Sequence, residues 1–458
     1  MAKYLQAELF KDYADSYNNG HNLETNRMSI KEIQEEILDQ YMEVDNLRPW
    51  VVGFSGGKDS TMLLQLTWLA VRQLPEELRK RKIYVVCNNT LVENPKIIEY
   101  TERVLKKIQQ AASEQSMPVY VQRTIPKLED TFWVNLIGKG YPAPNNIFRW
   151  CTERLKINPT TQFILDITKQ EGEAIILLGT RSAESANRAR SIKKYEIKGE
   201  RLRKHVIPKA YVYAAIKDVE TDELWQYLNQ VPSPWGASNK ELITLYRNAN
   251  SGDCPLVIDT TTPSCGNSRF GCWVCTVVNR DKSMEALIEN GEDWMEPLME
   301  LRDLLSISRD SEELREKRRR DGTEKEGTLG PYKPAFRAEF LEKLFVAQKE
   351  IRKTHPEMSL INYQELVAIQ VIWYRDNIFT FKVADIYNKI FGTNITLDSA
   401  NEKILREKEA LKQACNGNQK DFELINELLA LQKTKTILMN NRGLQNDLEN
   451  RLEKFVKE

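Results

Sequence analysis

Short apolar runs alternate with longer amphipathic segments in the middle of the chain. Four runs have the length and composition of buried strands, at residues 49–54, 82–87, 118–123 and 174–179. The amphipathic segments between them are typical of helices. This alternation predicts a parallel sheet with helices on both faces, an α/β fold. Ligands of such sheets bind at the carboxyl ends of the strands.

Helical patterns flank this region on both sides. Ser29 precedes a helical pattern with Glu32 in its first turn, which is a capping signal. Beyond about residue 333 the chain is charged, with apolar positions at helical spacing in 428–431 and 444–452, as in packing or partner helices. We therefore predict N-terminal helices over 1–45, an α/β domain over 46–235, a cysteine-bearing segment over 236–330 and a helical C-terminal region over 331–458.

Charge and cysteine content narrow the class of protein. The 66 Lys and Arg balance the 66 Asp and Glu, so no global field indicates a nucleic-acid partner. No apolar run is long enough to span a membrane, and the first residues lack a signal-peptide core. We therefore expect a cytoplasmic protein without a membrane partner. Seven cysteines make an odd number, which favours metal or redox chemistry over disulfides.

The sequence FSGGKDST, at 54–61, follows the first predicted strand and opens a helical pattern. It is neither a Walker loop, since only three residues separate Gly53 from Gly57, nor a dinucleotide fingerprint. Glycines let backbone N–H groups approach an anion, and a helix N-terminus and Lys58 add positive charge. The loop is therefore predicted to bind phosphate through Ser55, Gly56, Gly57, Lys58, Asp59 and Ser60. Asp59 either helps to organise Mg²⁺ or fixes the loop by accepting N–H bonds.

A basic stretch follows the fourth predicted strand. From Arg181 to Lys217, eleven Lys and Arg stand against three Glu. A run of this kind is often a solvated helix face. After a phosphate site it is equally typical of a surface that binds a polyanion such as DNA.

A C-x-x-C motif at Cys272 and Cys275 lies downstream, with Cys265 seven residues before it. Two thiolates in such a loop can reach one metal centre, and Cys265 and Cys151 could complete a set of four ligands. Cys254 is a reserve ligand. Structural zinc and a redox dithiol are the alternatives to an iron–sulfur cluster.

The loop resembles the pyrophosphate (PP) loop of the ATP pyrophosphatases, whose fold is adenine-nucleotide α-hydrolase-like. The resemblance implies that the loop binds the pyrophosphate of ATP with Mg²⁺ and that a substrate is adenylylated. In reductase-like members, a Gly-x-Arg-x-x-Glu-Ser-x-x-Arg segment completes the phosphate pocket. The matching residues here are Gly179, Arg181, Glu184, Ser185 and Arg188. The resemblance implies catalytic roles for Lys58, Asp59 and Arg181.

Longer phrases resemble the DndC family of sulfurtransferases, which act in bacterial DNA phosphorothioation. They are LVENP at 91–95, TFWVNLIGKGYPAP at 131–144, FRWCTERLKI at 148–157, LGTRSAES at 178–185 and CPLVIDTTTPSCGNSRFGCWVCTVV at 254–278. This resemblance implies that sulfur replaces a non-bridging oxygen of DNA, with ATP and a [4Fe–4S] cluster as cofactors. The implied cluster ligands are Cys151, Cys265, Cys272 and Cys275. DNA, a cysteine desulfurase as sulfur donor and other Dnd phosphorothioation proteins are the implied partners.

Three other functions stay open at this point. An assimilatory phosphoadenylyl-sulfate reductase needs a nucleophilic cysteine near its C-terminus, and no cysteine follows Cys415. A tRNA thiolase shares the loop and the cluster but fits the longer phrases less well. A catalytically silent scaffold would recruit partners through its helical tail; the match of Ser55, Lys58, Asp59 and Ser60 to the working loop counts against it.

Overall fold

The computed structural model describes residues 29–43, 47–197, 199–248, 271–319, 327–376, 378, 380–395, 409–416, 418–437 and 444–457. The strands are β1 (Trp50–Gly53), β2 (Ile83–Asn88), β3 (Val119–Thr124), β4 (Ala174–Leu177), β5 (Leu202–Lys204) and β6 (Ala210–Tyr213). The longer helices are α1 (Ile30–Met42), α2 (Lys58–Arg72), α3 (Pro95–Glu114), α4 (Asn158–Glu171), α5 (Ala186–Tyr195), α6 (Thr221–Gln230), α7 (Asn239–Asn248), α8 (Lys282–Glu289), α9 (Glu296–Ser308), α10 (Pro334–Ile351), α11 (Tyr363–Arg375), α12 (Val383–Phe391), α13 (Gln419–Ile437) and α14 (Leu444–Lys457).

The six strands form one sheet in the order β3-β2-β1-β4-β6-β5. All neighbours are parallel except β5, which runs antiparallel to β6 at the edge. The predicted α/β fold and its four strands are confirmed. The sequence did not predict β5 and β6, because they lie in the basic stretch 181–217, where Lys and Arg obscure the strand pattern.

β1 lies between two halves of the sheet that the chain builds one after the other. The chain forms β2 and β3 on one side, and β4 then pairs with β1 on the opposite side. The carboxyl ends of β1 and β4 therefore border the crevice in which doubly wound sheets bind ligands. FSGGKDST begins at this crevice.

Two helices at the N-terminal side support the start of the sheet. Ser29 and Glu32 form the predicted capping box of α1, with the N–H of Ser29 2.6 Å from the Glu32 carboxylate. Helix α1 packs on α2, which is buried from Ser60 to Val71. The phosphate-loop helix is thus a central element of the core.

A second apolar cluster lies beside the sheet core. It combines residues 132–155 with residues 273–383. The indole N–H of Trp133 donates to the carbonyl of Leu360 at 2.6 Å, and that of Trp373 donates to Ile137 at 2.9 Å. The C-terminal helices therefore pack on a segment of the α/β region. The four-segment division stays a prediction, and this cluster joins residues from three of those segments.

No helix in the described part of the chain is both long and apolar enough to cross a membrane.

Candidate nucleotide site and cysteine cluster

Two serine hydroxyls shape the loop between β1 and α2. The N–H of Ser55 donates to Ser60 Oγ at 3.2 Å, and the two hydroxyl oxygens are 3.2 Å apart. The Ser60 hydroxyl donates to the carbonyl of Gly57 at 3.0 Å. Both serines that the sequence predicts as phosphate ligands thus also stabilise the turn.

Two glycines are required by close approaches around this loop. Gly56 has a φ of +73°, and a Cβ there would lie 2.5 Å from Thr101 Oγ1. A Cβ at Gly179 would lie 3.0 Å from the backbone of Asp59. Glycine at 56 permits the left-handed turn, and glycine at 179 lets the end of β4 pack against the first turn of α2.

The N-terminus of α2 presents hydrogen-bond donors to the crevice. Gly57 is the N-cap residue and has no side chain to accept from the first turn. The first N–H groups of a helix lack intrahelical partners, and the macrodipole adds positive charge there. Lys58 stands at the first position of this 15-residue helix. The arrangement therefore fits a phosphate group.

A chain of charges links Lys58 to the protein interior. Lys58 Nζ lies 3.3 Å from Asp59 Oδ2, and Asp59 Oδ1 accepts a 2.6 Å hydrogen bond from Arg181 Nε. Arg181 is only 1% exposed and also donates to the carbonyl of Val219 at 2.9 Å. Both contacts of Asp59 are with side chains, so the two roles considered for it, organising Mg²⁺ and accepting backbone N–H bonds, both stay predictions. Arg181 acts through Asp59 here, and its contact with phosphate stays a prediction.

The segment after β4 forms its own local network. Glu184 accepts from the N–H of Arg181 at 3.5 Å and pairs with Arg188 Nε at 3.1 Å. Ser185 Oγ accepts from the N–H of Arg188 at 3.3 Å and caps α5. These contacts order the segment internally, and the contact of Arg181 with Asp59 places it beside the loop. The phosphate-binding roles of its residues stay predictions.

The C-x-x-C motif docks on the loop that follows β2. Cys272 and Glu93 form an isolated antiparallel bridge, and the N–H of Trp273 donates to the carbonyl of Val92 at 3.0 Å. Thr90 Oγ1 lies 3.4 Å from Cys272 Sγ. The motif therefore lies at the carboxyl edge of the sheet, on the same side as the phosphate loop.

Lys156 is the positive charge shared by the three described thiols of the predicted set. The interaction with Cys272, followed by those with Glu93 and then with Cys151 and Cys275, raises the pKa of Lys156 against the effect of burial. Burial raises the pKa of Cys272 to about 11, although Lys156 opposes this effect. Burial also raises the pKa of Cys151. Burial thus favours the neutral form of both thiols, and the positive charge of Lys156 favours the thiolate of Cys272.

The described thiols do not by themselves fit a metal cluster. Within the described ranges, no group of three or more His, Cys, Asp or Glu side chains is arranged to hold a metal ion. Cys254 and Cys265, the reserve and the fourth predicted ligand, lie outside the described residues. The [4Fe–4S] cluster and its set of four ligands therefore stay a prediction from the sequence.

Two arginines fix the loop after the motif. Arg302, which is 3% exposed, donates to the carbonyl of Cys275 at 3.1 Å and to that of Val278. Arg309 donates to the carbonyl of Thr276 at 2.7 Å. The cysteine loop is thus held through its backbone by residues of α9 and its C-terminal end.

The sequence profile of the phosphoadenosine phosphosulfate reductase domain family matches residues 49–278, half of the chain. The chain belongs to this family. Its match begins at β1 and ends just after the C-x-x-C loop, so it contains both the phosphate loop and the described cysteines. Members of the reductase-domain family are enzymes, and the domain indicates sulfur-related, nucleotide-dependent chemistry.

Two further proteins are similar to parts of this reductase-domain chain. An uncharacterized protein of Methanocaldococcus jannaschii is 30% identical over 142 residues, which are 31% of this chain and 25% of that protein. The chain thus matches about a quarter of that relative's length. The crystal structure of phosphoadenylyl-sulfate reductase from Candida auris, a phosphate complex, covers 48% of this chain and 93% of its own, with 10% identity and a TM-score of 0.26. At a TM-score this low, the overlap supports no conclusion about this chain.

Tyr246 also lies at the candidate nucleotide site, although the sequence gives no indication of it. It lies on α7, 188 positions after Lys58, yet its hydroxyl is 3.4 Å from the backbone nitrogen of Lys58. Its own neighbours in sequence carry no signal that separates it from an ordinary core tyrosine. Only the packing of α7 against the loop brings it into the site.

Proposed function

We propose that the protein is an ATP-dependent sulfurtransferase that replaces a non-bridging oxygen of a DNA phosphodiester with sulfur. The observation that carries the proposal is the position of the α2 N-terminus, at the switch point between β1 and β4. The N-terminal end of the helix, with its partial positive charge, and the Lys58 ammonium meet there, which suits the pyrophosphate of ATP.

The reaction proceeds in two group transfers. A non-bridging oxygen of the DNA phosphate attacks the α-phosphorus of ATP, the α–β bridging P–O bond breaks, and pyrophosphate leaves. The DNA phosphate is then joined to AMP. The terminal sulfur of a persulfide, supplied by a cysteine desulfurase, attacks the DNA phosphorus and AMP leaves with the oxygen. A thiol then cleaves the remaining S–S bond, which gives the phosphorothioate and a disulfide.

The loop residues stabilise the leaving group in the first transfer. ATP arrives with Mg²⁺, and the departing pyrophosphate carries negative charge that the helix N–H groups and Lys58 neutralise. Asp59, itself held by Arg181, keeps the Lys58 ammonium near that position. The site therefore contributes through positioning and electrostatics rather than through a protein nucleophile.

Helix α3 connects the cysteine loop to the phosphate loop. The N–H of Asn94, the N-cap of α3, donates to the carbonyl of Gly271 at 3.2 Å. Thr101, seven residues further, lies beside Gly56, where a Cβ would come within 2.5 Å of its Oγ1. Seven helical residues span about 10 Å, so sulfur chemistry at the motif lies within reach of the nucleotide site. This supports a sulfur transfer coupled to ATP.

A basic face beside the site supports DNA as the substrate. Helix α5 carries exposed cations, and the ring of Tyr195 lies 5.2 Å from Lys194 Nζ and 5.4 Å from the Arg203 guanidinium. This contact brings α5 against β5, so the cations of both elements form one surface. Arg201 and Lys217 are engaged by acidic partners and contribute less. Such a surface binds phosphates without reading bases.

The decisive experiment measures pyrophosphate release from ATP with and without duplex DNA. Adding a cysteine desulfurase, cysteine and the other Dnd proteins should then give phosphorothioate linkages, detected by mass spectrometry after nuclease digestion. Lys58→Ala should lose at least a hundredfold in turnover while remaining folded. Release that does not depend on DNA, or that depends on tRNA instead, would contradict the proposal.

Iron and acid-labile sulfide, assayed on anaerobically purified protein, test the predicted cluster separately. About four irons and four sulfides per chain would support the [4Fe–4S] prediction. Stoichiometric zinc would assign the cysteines a structural role and leave the phosphate loop unaffected.

The family match favours a second candidate, reduction of phosphoadenylyl sulfate to sulfite. That reaction needs no ATP. Sulfite formed from phosphoadenylyl sulfate and a dithiol reductant, together with no DNA-dependent release of pyrophosphate, would select this candidate over DNA modification.

A further inference from the structure

The turn formed by residues 145–149 exposes two apolar side chains that are adjacent in the chain. Ile147 is 96% exposed and Phe148 is 46% exposed. Single apolar residues are ordinary on a protein surface, whereas two neighbours at the tip of a turn form a small apolar projection. We call residues 145–149 the apolar turn.

Hydrogen bonds hold the two side chains at the tip of the apolar turn. Asn145 Oδ1 accepts from the N–H of Ile147 at 2.9 Å and from that of Phe148 at 2.7 Å. The N–H of Asn145 donates to the carbonyl of Phe148 at 3.3 Å. The ring of Phe148 also faces that of Tyr141, with centroids 6.3 Å apart. The projection is therefore ordered before a partner arrives, so binding costs it little conformational entropy.

The apolar turn is attached to the cysteine loop. The carbonyl of Pro144, the residue before the turn, accepts a 2.6 Å hydrogen bond from Thr276 Oγ1. Thr276 directly follows Cys275, and Cys151 lies two positions after the turn. A molecule that binds the tip is therefore held in a fixed position relative to the described thiols.

The polar residues of the apolar turn suit a polyanion. The sequence has no Asp or Glu between Asp130 and Glu153. Arg149 is exposed in this interval and donates to Asn146 Oδ1 at 2.7 Å. Arginine and asparagine are side chains with which proteins contact the minor groove of DNA, and isoleucine and phenylalanine are among those inserted between its base pairs.

The small size of the projection favours DNA over a protein as its partner. Specific protein–protein interfaces bury about 800 Å² on each side, far more than two side chains offer. A wedge between base pairs, in contrast, consists of individual apolar side chains.

We propose that Ile147 and Phe148 form a wedge that enters the minor groove of DNA, partly unstacks one base step and kinks the duplex. Asn146 and Arg149 contact the groove beside it. This inference deepens the proposed function and rests on it in taking duplex DNA as the substrate. The basic face of α5 and β5 binds phosphates without reading bases, whereas a wedge favours steps that unstack easily, such as TA.

The wedge and the basic face can contact one duplex. The apolar turn follows β3 and α5 follows β4, and both of these parallel strands end at the carboxyl edge of the sheet. The two strands are three places apart, which is roughly 14 Å at the usual strand spacing. One helical turn of DNA, about 34 Å long, spans this distance.

Fluorescence energy transfer between dyes on the two ends of a short duplex tests the inference with the full-length protein. The wild type should bend the duplex by roughly 20–90°, which brings the dyes closer together. Ile147→Ser with Phe148→Ser should lose this bending. Fluorescence anisotropy should show that the double variant still binds DNA, because its phosphate contacts remain. The wild type should bend a duplex with a central TA step more than one with a central AA step, and equal bending of the two would contradict the wedge.

Val206→Ser is the matched control. Val206 is 92% exposed in the turn between β5 and β6, at the opposite, amino edge of the sheet. This variant also replaces an exposed apolar side chain by serine, and it should bend DNA like the wild type.

Arg149→Gln separates the wedge from its flanking charge. It keeps Ile147 and Phe148, so it should still bend the duplex. The slope of log K against log salt should fall in magnitude by about one, as expected for the loss of one phosphate contact. An unchanged slope would contradict the contact of Arg149 with the groove.

The outcomes distinguish the inference from the proposed function. Loss of bending in the double variant upholds the inference even if ATP turnover never depends on DNA, a result that would refute only the sulfurtransferase. Equal bending by wild type and double variant, or binding without bending by the wild type, overturns the inference and leaves the DNA reaction standing. A double variant that bends DNA normally but no longer accepts sulfur from a cysteine desulfurase would assign the turn to a protein partner instead. A wild-type protein that binds no DNA overturns both.

Discussion

Arg181 donates a 2.6 Å hydrogen bond to Asp59 across 122 positions of sequence. The contact joins the segment after β4 to the first turn of α2, the two sides of the switch point. Because Asp59 also pairs with Lys58, a buried guanidinium determines where an ammonium of the candidate site lies. The integrity of the site thus depends on a residue that is 1% exposed.

Arg181→Met should lower the free energy of unfolding and abolish ATP turnover. The substitution removes the partner of Asp59 and leaves the Val219 carbonyl without its donor, which costs about 3 kcal/mol for a broken buried pair. Urea unfolding and pyrophosphate release measure the two effects. Arg188→Met is the control for the unfolding measurement, since Arg188 is 54% exposed and its ion pair with Glu184 should contribute less than about 1 kcal/mol. Equal stability in both variants would show that Arg181 is not structural.

Gly56→Ala should destabilise the protein by about 3 kcal/mol and eliminate nucleotide binding. An alanine there must adopt a left-handed φ and also meets the Thr101 hydroxyl. Gly392→Ala is the matched control, because Gly392 has a left-handed φ of +68° with nothing within 4 Å of its Cβ position. It should cost only about 1 kcal/mol. Adding Thr101→Ala to Gly56→Ala should recover part of the stability that Gly56→Ala loses beyond the control. If no stability is recovered, the clash with Thr101 is not the cause of that loss.

Neutralising the basic face should weaken DNA binding. Lys193→Gln with Lys194→Gln removes two exposed cations of α5. The slope of log K against log salt should fall in magnitude by about two. Lys343→Gln with Lys353→Gln, which changes two exposed lysines elsewhere, should leave the slope unchanged. Fluorescence anisotropy over a salt series provides the measurement, and equal slopes in both variants would locate DNA on another surface.

Arg302→Met should increase the reactivity of the cysteine loop. The carbonyls of Cys275 and Val278 lose their donor, so the loop opens locally more often. The population of the open loop should rise on the order of tenfold for each 1.4 kcal/mol of lost stabilisation. Alkylation rates of Cys272 and Cys275, read by mass spectrometry, should rise accordingly. Arg280→Met changes an arginine whose side chain is 72% exposed and should not alter these rates. Unchanged rates in Arg302→Met would mean that other contacts hold the loop.

Glu365 makes stability depend on pH. Burial raises the pKa of Glu365 to about 7 from an ordinary value of 4.5, so the folded protein holds this proton more tightly than the unfolded chain. The tighter proton binding stabilises the folded protein by on the order of 3 kcal/mol. This stabilisation is fully present below about pH 4.5 and is lost as the pH rises through about 7. Glu365→Gln stays neutral and can still accept from the N–H of Asn362, which lies 3.1 Å from the carboxylate.

Thermal unfolding at pH 5 and pH 8 tests this dependence. Glu365→Gln should be more stable than the wild type at pH 8 and similar to it at pH 5. Glu357→Gln, at an exposed position, should match the wild type at both values. A wild type whose unfolding shows the same pH response as Glu365→Gln would contradict the assignment.

Much of the candidate site could be predicted because its signals are local. The order Ser55–Gly56–Gly57–Lys58 after a strand and before a helix predicts phosphate binding from neighbouring residues alone. The contact of Asp59 with Arg181 could not be predicted in this way, because Arg181 follows β4 and lies 122 positions further along the chain. Tyr246 gave no signal for the same reason, and Cys254 and Cys265 stay predictions outside the described residues.

The sequence by itself determined the strands β1 to β4, the capping box of α1 and the phosphate-loop turn. The spacing of apolar residues, helix-capping residues and turn glycines each depend on neighbours within a few positions. These features can therefore be recognised in the sequence itself. Tertiary structure decided the places of β5 and β6 in the sheet, the burial of Arg181, and the docking of the C-x-x-C motif on the loop after β2. These features depend on the order of strands in the sheet and on helix packing; the contacts of Arg181 with Asp59 and of Cys272 with Thr90 join residues more than a hundred positions apart.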